Sequence, residues 1–330
     1  MKDLNISSIA KELGYSTATI SRVINNKKGV GEKTREQILD AIGKMGYRPN
    51  RIAQSLAQKR SKIIGVIVPD FANDFLGSIV NTIEQTLESL GYRILLFSTN
   101  WNIDSEKEKI QLAIESQVDG IILKPTSTKA KHFNNLPVPV VLVSQTYNNS
   151  ISWVDIDNKE AGLIGTEHLI VCGYKKIAFI GETPSNLIYT KRYEGYKKAL
   201  EQHGLEPLKP FYCKNSIDAG YDLINSLHES NNLPDAVFCS DDNNAIGLMA
   251  WALDHKISIP DDLGIVGFNN STMSKLPQIN LTTISQPKEQ IGRYAVQSLI
   301  DIINYLPKKA MPQRIVLSPN LIKRATTREI

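Results

Sequence analysis

From residue 61 onward the sequence alternates strand-like apolar runs with amphipathic helical ones, and it does so twice. The first series has strand-like runs at 63–69, 92–99, 119–124 and 138–144, with helices such as 76–91 and 105–117 between them. The second has runs at 176–181, 236–240, 263–268 and 281–285. Strand–helix alternation predicts an α/β fold with a mainly parallel, doubly wound sheet, and its repetition predicts two such lobes. Ligands bind such sheets beyond the carboxyl ends of the strands, so two facing lobes imply a cleft between them.

Before residue 61 the pattern is helical throughout. Ser16 stands where its side-chain oxygen can cap a helix start, and Ile20, Val23 and Ile24 follow at helical spacing as a buried face. The opposite face carries Thr17, Ala18, Ser21, Arg22 and Asn25, small or hydrogen-bonding residues that can lie close to base edges and phosphates. Upstream, Ile6, Ile9, Ala10 and Leu13 make a second short amphipathic helix that Asn5 can cap, with only Gly14-Tyr15 between the two. This is the pattern of a helix-turn-helix, and equally of a plain helical hairpin. A third helix is expected over 32–45 with Ile38, Leu39, Ile42 and Met45 inward, and Lys27, Lys28, Lys33 and Arg35 are candidate phosphate contacts. After Pro49-Asn50, a helical pattern over 51–58 is too short to be stable alone and reads equally as a linker.

The chain has 330 residues, room for two or three domains, and a formal charge of +4. That charge is unevenly spread. Residues 1–60 hold 12 Lys or Arg against 5 Asp or Glu, which leaves 26 against 29 elsewhere. A basic head on a near-neutral body suits a nucleic-acid contact confined to one end. No apolar run approaches a membrane span and residues 1–25 lack a signal-peptide core, so the cytoplasm is the expected location, with no membrane partner. Cys172, Cys213 and Cys239 are too few and too widely spaced for a disulfide framework or a metal cluster and read as buried thiols. His132, His168, His203, His228 and His255 show no metal-ligand spacing, and no nucleophile motif or phosphate-cradling glycine loop is present. Neither catalysis, a metal nor a cofactor is expected. The rivals to a DNA-binding regulator are a cytoplasmic sugar-binding protein and a sugar-modifying enzyme with an incidental basic head.

The run 5–25, followed by Thr34-Arg35-Glu36, Gly46-Tyr47-Arg48-Pro49-Asn50 and Ala53-Gln54-Ser55-Leu56-Ala57, resembles the lactose-repressor (LacI/GalR) family of bacterial transcription factors. Body motifs match as well: 65–70 with Asn73 and Phe75, Val118-Asp119-Gly120, Asp157-Asn158 with Gly162, and Arg192 with Gly195 and Ala199. Further matches are Ser240-Asp241-Asp242, 264–268, 281–284 with Gln286-Pro287, and Leu321-Ile322 with Arg324. The resemblance implies a helix-turn-helix head (1–48), a hinge helix (49–60) and a body like the periplasmic sugar-binding proteins (61–330). It implies lobes of about 61–158 with 288–318 and about 159–287 with 319–330. It also implies a repressor controlled by a small carbohydrate or carbohydrate-derived effector.

For DNA the resemblance implies Ser16, Thr17, Ala18, Ser21, Arg22, Asn25, Thr34, Asn50, Ala53 and Leu56, the last wedged into the minor groove of a near-palindromic operator. A homodimer is expected, since no leucine heptad tail follows Arg324. For the effector it implies Asp70, Asn73, Phe75, Trp101, Lys124, Ser144, Arg192, Asp241 and Asn269. The arginine at Arg192 is the family's grip on ligand hydroxyls. Asn269 and Ser144 stand where the family usually has aspartates, and Lys124 where it usually has an uncharged residue. Those departures would leave Arg192 and Lys124 short of counter-charge and favour an acidic sugar or sugar phosphate. Alternatively Lys124 points to solvent, and Asp70 or Asp241 supplies the charge for a neutral sugar.

Overall fold

Three short helices can bury only one small cluster between them, and at the N-terminus that cluster is Ile9, Ala10, Ile20, Val23, Ile38 and Ile42. The helices are α1 (Ile6–Leu13), α2 (Thr17–Ile24) and α3 (Glu32–Lys44). Asn5 closes a capping box on α1 with Ser8, Gly14 ends it at φ +71°, and Ser16 Oγ accepts the Thr19 amide at 3.1 Å to start α2. Leu39 does not face inward as expected. It is 49 % exposed because the buried stripe of α3 runs through Ile38 and Ile42, and the next residue along a helix turns about 100° away from it.

The computed structural model describes residues 5–24, 27–46, 60–147, 150–305 and 311–329. It divides into two units, Met1–Ser61 and Lys62–Ile330. The body begins β1 (Ile63–Val68), α4 (Asp74–Ser89), β2 (Arg93–Ser98), α5 (Ile103–Glu115), β3 (Gly120–Leu123), β4 (Val140–Leu142) and β5 (Ser152–Ile156). It continues α6 (Asn158–Val171), β6 (Ile177–Gly181), α7 (Leu187–Gln202), β7 (Phe211–Tyr212), α8 (Ile217–Glu229), β8 (Ala236–Cys239), α9 (Asp242–Asp254), β9 (Gly264–Phe268) and β10 (Thr283–Ser285). It ends α10 (Lys288–Tyr305), β11 (Arg314–Leu317) and β12 (Asn320–Ile322).

The strands form two sheets with the same plan. One runs β2-β1-β3-β4-β5-β11, all parallel; the other runs β7-β6-β8-β9-β10-β12, parallel except for β12 against β10. In each the order reverses once, between β1 and β3 and between β6 and β8, and such switch points are where ligands settle. The chain passes from sheet to sheet after β5, after β10 and between β11 and β12. The α/β class and parallel sheets are those the alternation predicts.

Two helix pairs in the second half cross at glycine contacts. A Cβ on Gly162 of α6 would stand 2.0 Å from Arg192 O, and one on Gly195 of α7 2.0 Å from Lys159 O. Gly220 of α8 and Gly247 of α9 meet Asn244 O and Ile217 O in the same way. Only the absence of side chains lets these backbones touch. Cys172 and Cys239 are buried; Cys213 is only partly so, where it takes a hydrogen bond from Asn244 Nδ2 at 3.4 Å. Among the described residues no helix is long and apolar enough to cross a membrane.

Candidate functional site

In the head, α2 presents Thr17, Ala18 and Arg22 exposed, with Ser16 at its start and Ser21 half-buried beside them. Ile20 and Val23 hold the opposite face in the core, so this outer face is fixed by burial behind it. Thr34 lies half-buried in the first turn of α3. Arg35 donates from Nη2 to Lys27 O at 2.7 Å, which ties the α2–α3 loop down. Asn25, Asn50, Ala53 and Leu56 lie outside the described residues.

In the body, a partly open cleft lies between the carboxyl ends of the two sheets, the place where doubly wound sheets bind ligands. Its walls follow strand ends in order. Asn73 and Phe75 come after β1, Trp101 after β2, Lys124 immediately after β3 and Ser144 after β4. From the other sheet, Arg192 comes after β6, Asp241 after β8 and Asn269 after β9. Asn73 also caps α4 through Oδ1. Asp70 is the exception among the expected effector residues: it does not line the cavity, because its carboxylate turns back to accept the Ala72 amide at 2.8 Å.

Arg192 is 6 % exposed and held on three sides. Nε donates to Asn158 Oδ1 at 3.0 Å and Nη1 to Ser240 O at 2.9 Å, while Cζ lies 3.4 Å over the centroid of Phe268. Burial lowers its pKa to about 10, against the opposing pull of Tyr189, Asp155 and Asp241. Lys124 is likewise pushed down, first by burial, with Asp155 and Glu182 opposing and Arg192 adding to the shift. Its side chain lines the cavity rather than pointing to bulk solvent.

Asp241 is raised to about 6 by burial, helped by Asp242 and Glu182 and opposed by the Asn243 amide and Arg192. Its oxygens are both engaged, Oδ1 by Asn243 N at 2.9 Å and Oδ2 by Asn269 Nδ2 at 3.0 Å. Gln286 Nε2 then donates to Asn269 Oδ1 at 2.7 Å, so the amide of Asn269 is fixed at both ends.

Several lining residues escaped the sequence reading. Asn186, Ile188, Tyr189, Asn215, Ser240 and Gln286 all face the cavity. Tyr189 and Asn215 pair through Asn215 Nδ2 and Tyr189 Oη at 2.9 Å. Asn215 Oδ1 and Ser240 Oγ are buried with no protein partner. Asp155, buried in β5, accepts from the Gln145 and Ile156 amides. Residues such as Asn215 reach the cavity from a loop after a two-residue strand, which leaves no periodic signal. Among the described residues no group of His, Cys, Asp or Glu is placed to hold a metal ion.

A helix-turn-helix head on the same chain as a two-lobed, cleft-bearing body defines a ligand-responsive DNA-binding regulator. Residues 5–50 match the family described as bacterial regulatory proteins, lacI family, and residues 166–327 match the periplasmic binding protein-like domain. The chain is 34 % identical to catabolite control protein A of Priestia megaterium over 97 % of its own length and 98 % of that protein's. The chain belongs to the lacI family and is a transcriptional regulator, not an enzyme. Among solved structures, the transcriptional regulator CelR–cellobiose complex is 27 % identical, covers 98 % of this chain and 99 % of its own, and has a TM-score of 0.73. The lac repressor dimer bound to operator and an anti-inducer shares the fold at a TM-score of 0.88 and 24 % identity, covering 99 % of this chain and 100 % of that one.

Proposed function

We infer that the protein is a homodimeric, cytoplasmic repressor whose hold on a near-palindromic operator is set by a small effector of the sugar class. In this reading residues 1–48 are the DNA-binding head, 49–60 the hinge and 61–330 the effector-binding and dimerising body. Thr17, Ala18 and Arg22 read bases from the exposed face of α2, and Ser16, Ser21 and Thr34 stand beside the phosphates. Asn25, Asn50, Ala53 and Leu56 complete the DNA contacts.

The observation that carries the effector class is the pairing of unmet polar atoms with aromatic edges in one cleft. Asn215 Oδ1 and Ser240 Oγ are buried without protein partners, and such atoms are costly unless water or a hydroxylated ligand engages them. Phe75 and Trp101 line the same cavity and can cover the apolar face of a sugar ring. A sugar-bound relative of the same architecture, the CelR–cellobiose complex, supports the reading. The test is footprinting of the full-length protein on DNA upstream of its own gene, with and without a panel of sugars. A protected palindrome whose occupancy changes with one of them is the expected result. Occupancy indifferent to every sugar, with no binding by calorimetry, would overturn it.

A further inference from the structure

Among the described residues the cleft is lined by two cations, and no protein carboxylate forms an ion pair with either. Lys124 leaves the end of β3 with its amide tied to Ile67 O at 2.9 Å, and its side chain enters the cavity. Among the described residues its ammonium makes no hydrogen bond and no ion pair. Arg192 has Nε and Nη1 committed to Asn158 and Ser240, which leaves Nη2 without a protein hydrogen bond among the described residues.

Among the described residues no carboxylate pairs with either cation, and those of Asp241 and Asp155 are engaged by other donors. Both oxygens of Asp241 accept from Asn243 and Asn269. Both oxygens of Asp155 accept backbone amides. Asn269 offers no charge and is clamped between Asp241 and Gln286. Ser144 Oγ donates to Gln145 O at 3.2 Å. Asp155 and Glu182 act on Lys124 only through space, and Arg192 opposes them. A hydroxyl could accept from either cation, but it would leave two like charges facing each other in a desolvated space. An anionic oxygen group meets both, with charge-assisted hydrogen bonds roughly twice as strong as neutral ones.

We propose that the effector carries an anionic oxygen group, a carboxylate or a phosphate, held between Lys124 Nζ and Arg192 Nη2. The regulator then answers to an acidic sugar and not to its neutral parent. This rests on reading the cleft as a sugar-effector site, and the two can fail separately.

The test is calorimetric titration of the full-length protein with matched sets of a hexose, its uronate and its 6-phosphate in the gluco, galacto and manno series. An acidic member binding about tenfold or more tightly than its neutral parent is the expected result, a difference of about 1.4 kcal/mol. Whether that member is the uronate or the phosphate identifies the group. In Lys124→Met the acid should lose about tenfold in affinity and approach its parent. The wild-type ratio alone decides the matter if that variant does not fold. A neutral hexose binding as tightly as its acids would overturn the acidic effector and leave the sugar site standing. No binding by any member would overturn both.

Discussion

A planar guanidinium with two of its nitrogens fixed by the protein presents the third at a defined angle, and an ammonium cannot copy that. Arg192→Lys should therefore lose the Asn158 and Ser240 contacts together and weaken effector binding by about 10- to 100-fold, on the order of 1.4–3 kcal/mol. Calorimetry with whichever sugar binds the wild type checks this; unchanged affinity would show that Arg192 only packs. Arg22→Ala should cost about 1–3 kcal/mol on operator DNA and flatten discrimination at one base position. If specific and random DNA weakened equally in an anisotropy titration, Arg22 would be a phosphate clamp. His168 carries a pH signature. Burial, with Lys323 adding to it, lowers its pKa to about 4, where it pairs with Thr327 Oγ1 at 2.8 Å and lies near the thiol of Cys172. The unfolded chain takes up that proton near 6.5 and the folded one does not, so stability is full above about pH 6.5 and falls toward pH 4. Asp241, raised by burial to about 6, shifts stability the other way over the same window, so the His168 contribution is read as a difference: between pH 7 and 5 wild type should lose on the order of 2 kcal/mol more in urea melts than His168→Gln does. At this scale the fold alone made legible the cleft residues that end strands, whereas Asn73, Phe75, Trp101 and Arg192 needed the family resemblance. Lys124, Ser144 and Asn269 follow an apolar run directly, so the fold alone carries them to the cavity. Asp70 ends a strand too, but an Asx turn, invisible to periodicity, takes its carboxylate away.

Helix crossings set where those side chains point. Gly162→Ala should push α7 off α6, because its Cβ would meet Arg192 O itself, and backbone cannot yield as a side-chain tip can. A loss of about 3 kcal/mol or more in urea melts is expected, with weakened effector binding because Arg192 moves with the helix. Gly43 makes the contrast. It lies exposed near the end of α3 with nothing within 4 Å of a built Cβ. There Gly43→Ala should stabilise the head by about 0.5–1 kcal/mol, because alanine loses less backbone freedom on folding. Fully buried strands were readable from their apolar runs, as in β3, where all four residues of Gly120–Leu123 are buried. Those not read were short or half-exposed: β7 has two residues, and β11 alternates exposed and half-buried positions at the sheet edge. Strand β5 is fully buried, yet its Ser152 and Asp155 interrupt the apolar run. Their polarity is answered by amides from Gln313 and Gln145, partners no local window contains.

At the scale of the whole body the sequence shows two lobes and says nothing about what holds them together across the cleft. Two contacts do so. Asp74, at the start of α4 beside the first sheet, accepts from Thr272 N and Thr272 Oγ1, both at 2.9 Å, in the loop after β9 of the second. Lys288 Nζ stands 3.6 Å from the same carboxylate. Farther in, Leu187 N at the start of α7 donates to Thr128 Oγ1 at 3.1 Å. Burial raises the Asp74 pKa, but hydrogen bonds from Thr272 and the charges of Lys288 and Lys275 outweigh it and leave the carboxyl below its usual range. The latch is therefore ionised at neutral pH and loosens only as acid protonates it. Each exposed hydrogen bond contributes about 0.5–1.5 kcal/mol, so Asp74→Ala should shift the open–closed balance about tenfold toward open. Small-angle scattering should then show a larger radius of gyration for the free variant, restored by saturating effector, with effector affinity reduced by a similar factor. Thr272→Val removes one of the same bonds and should give a smaller shift in the same direction. Scattering and affinity unchanged in both variants would mean that the Asp74–Thr272 contact does not hold the lobes together, leaving that to the Leu187–Thr128 contact and the three connecting segments.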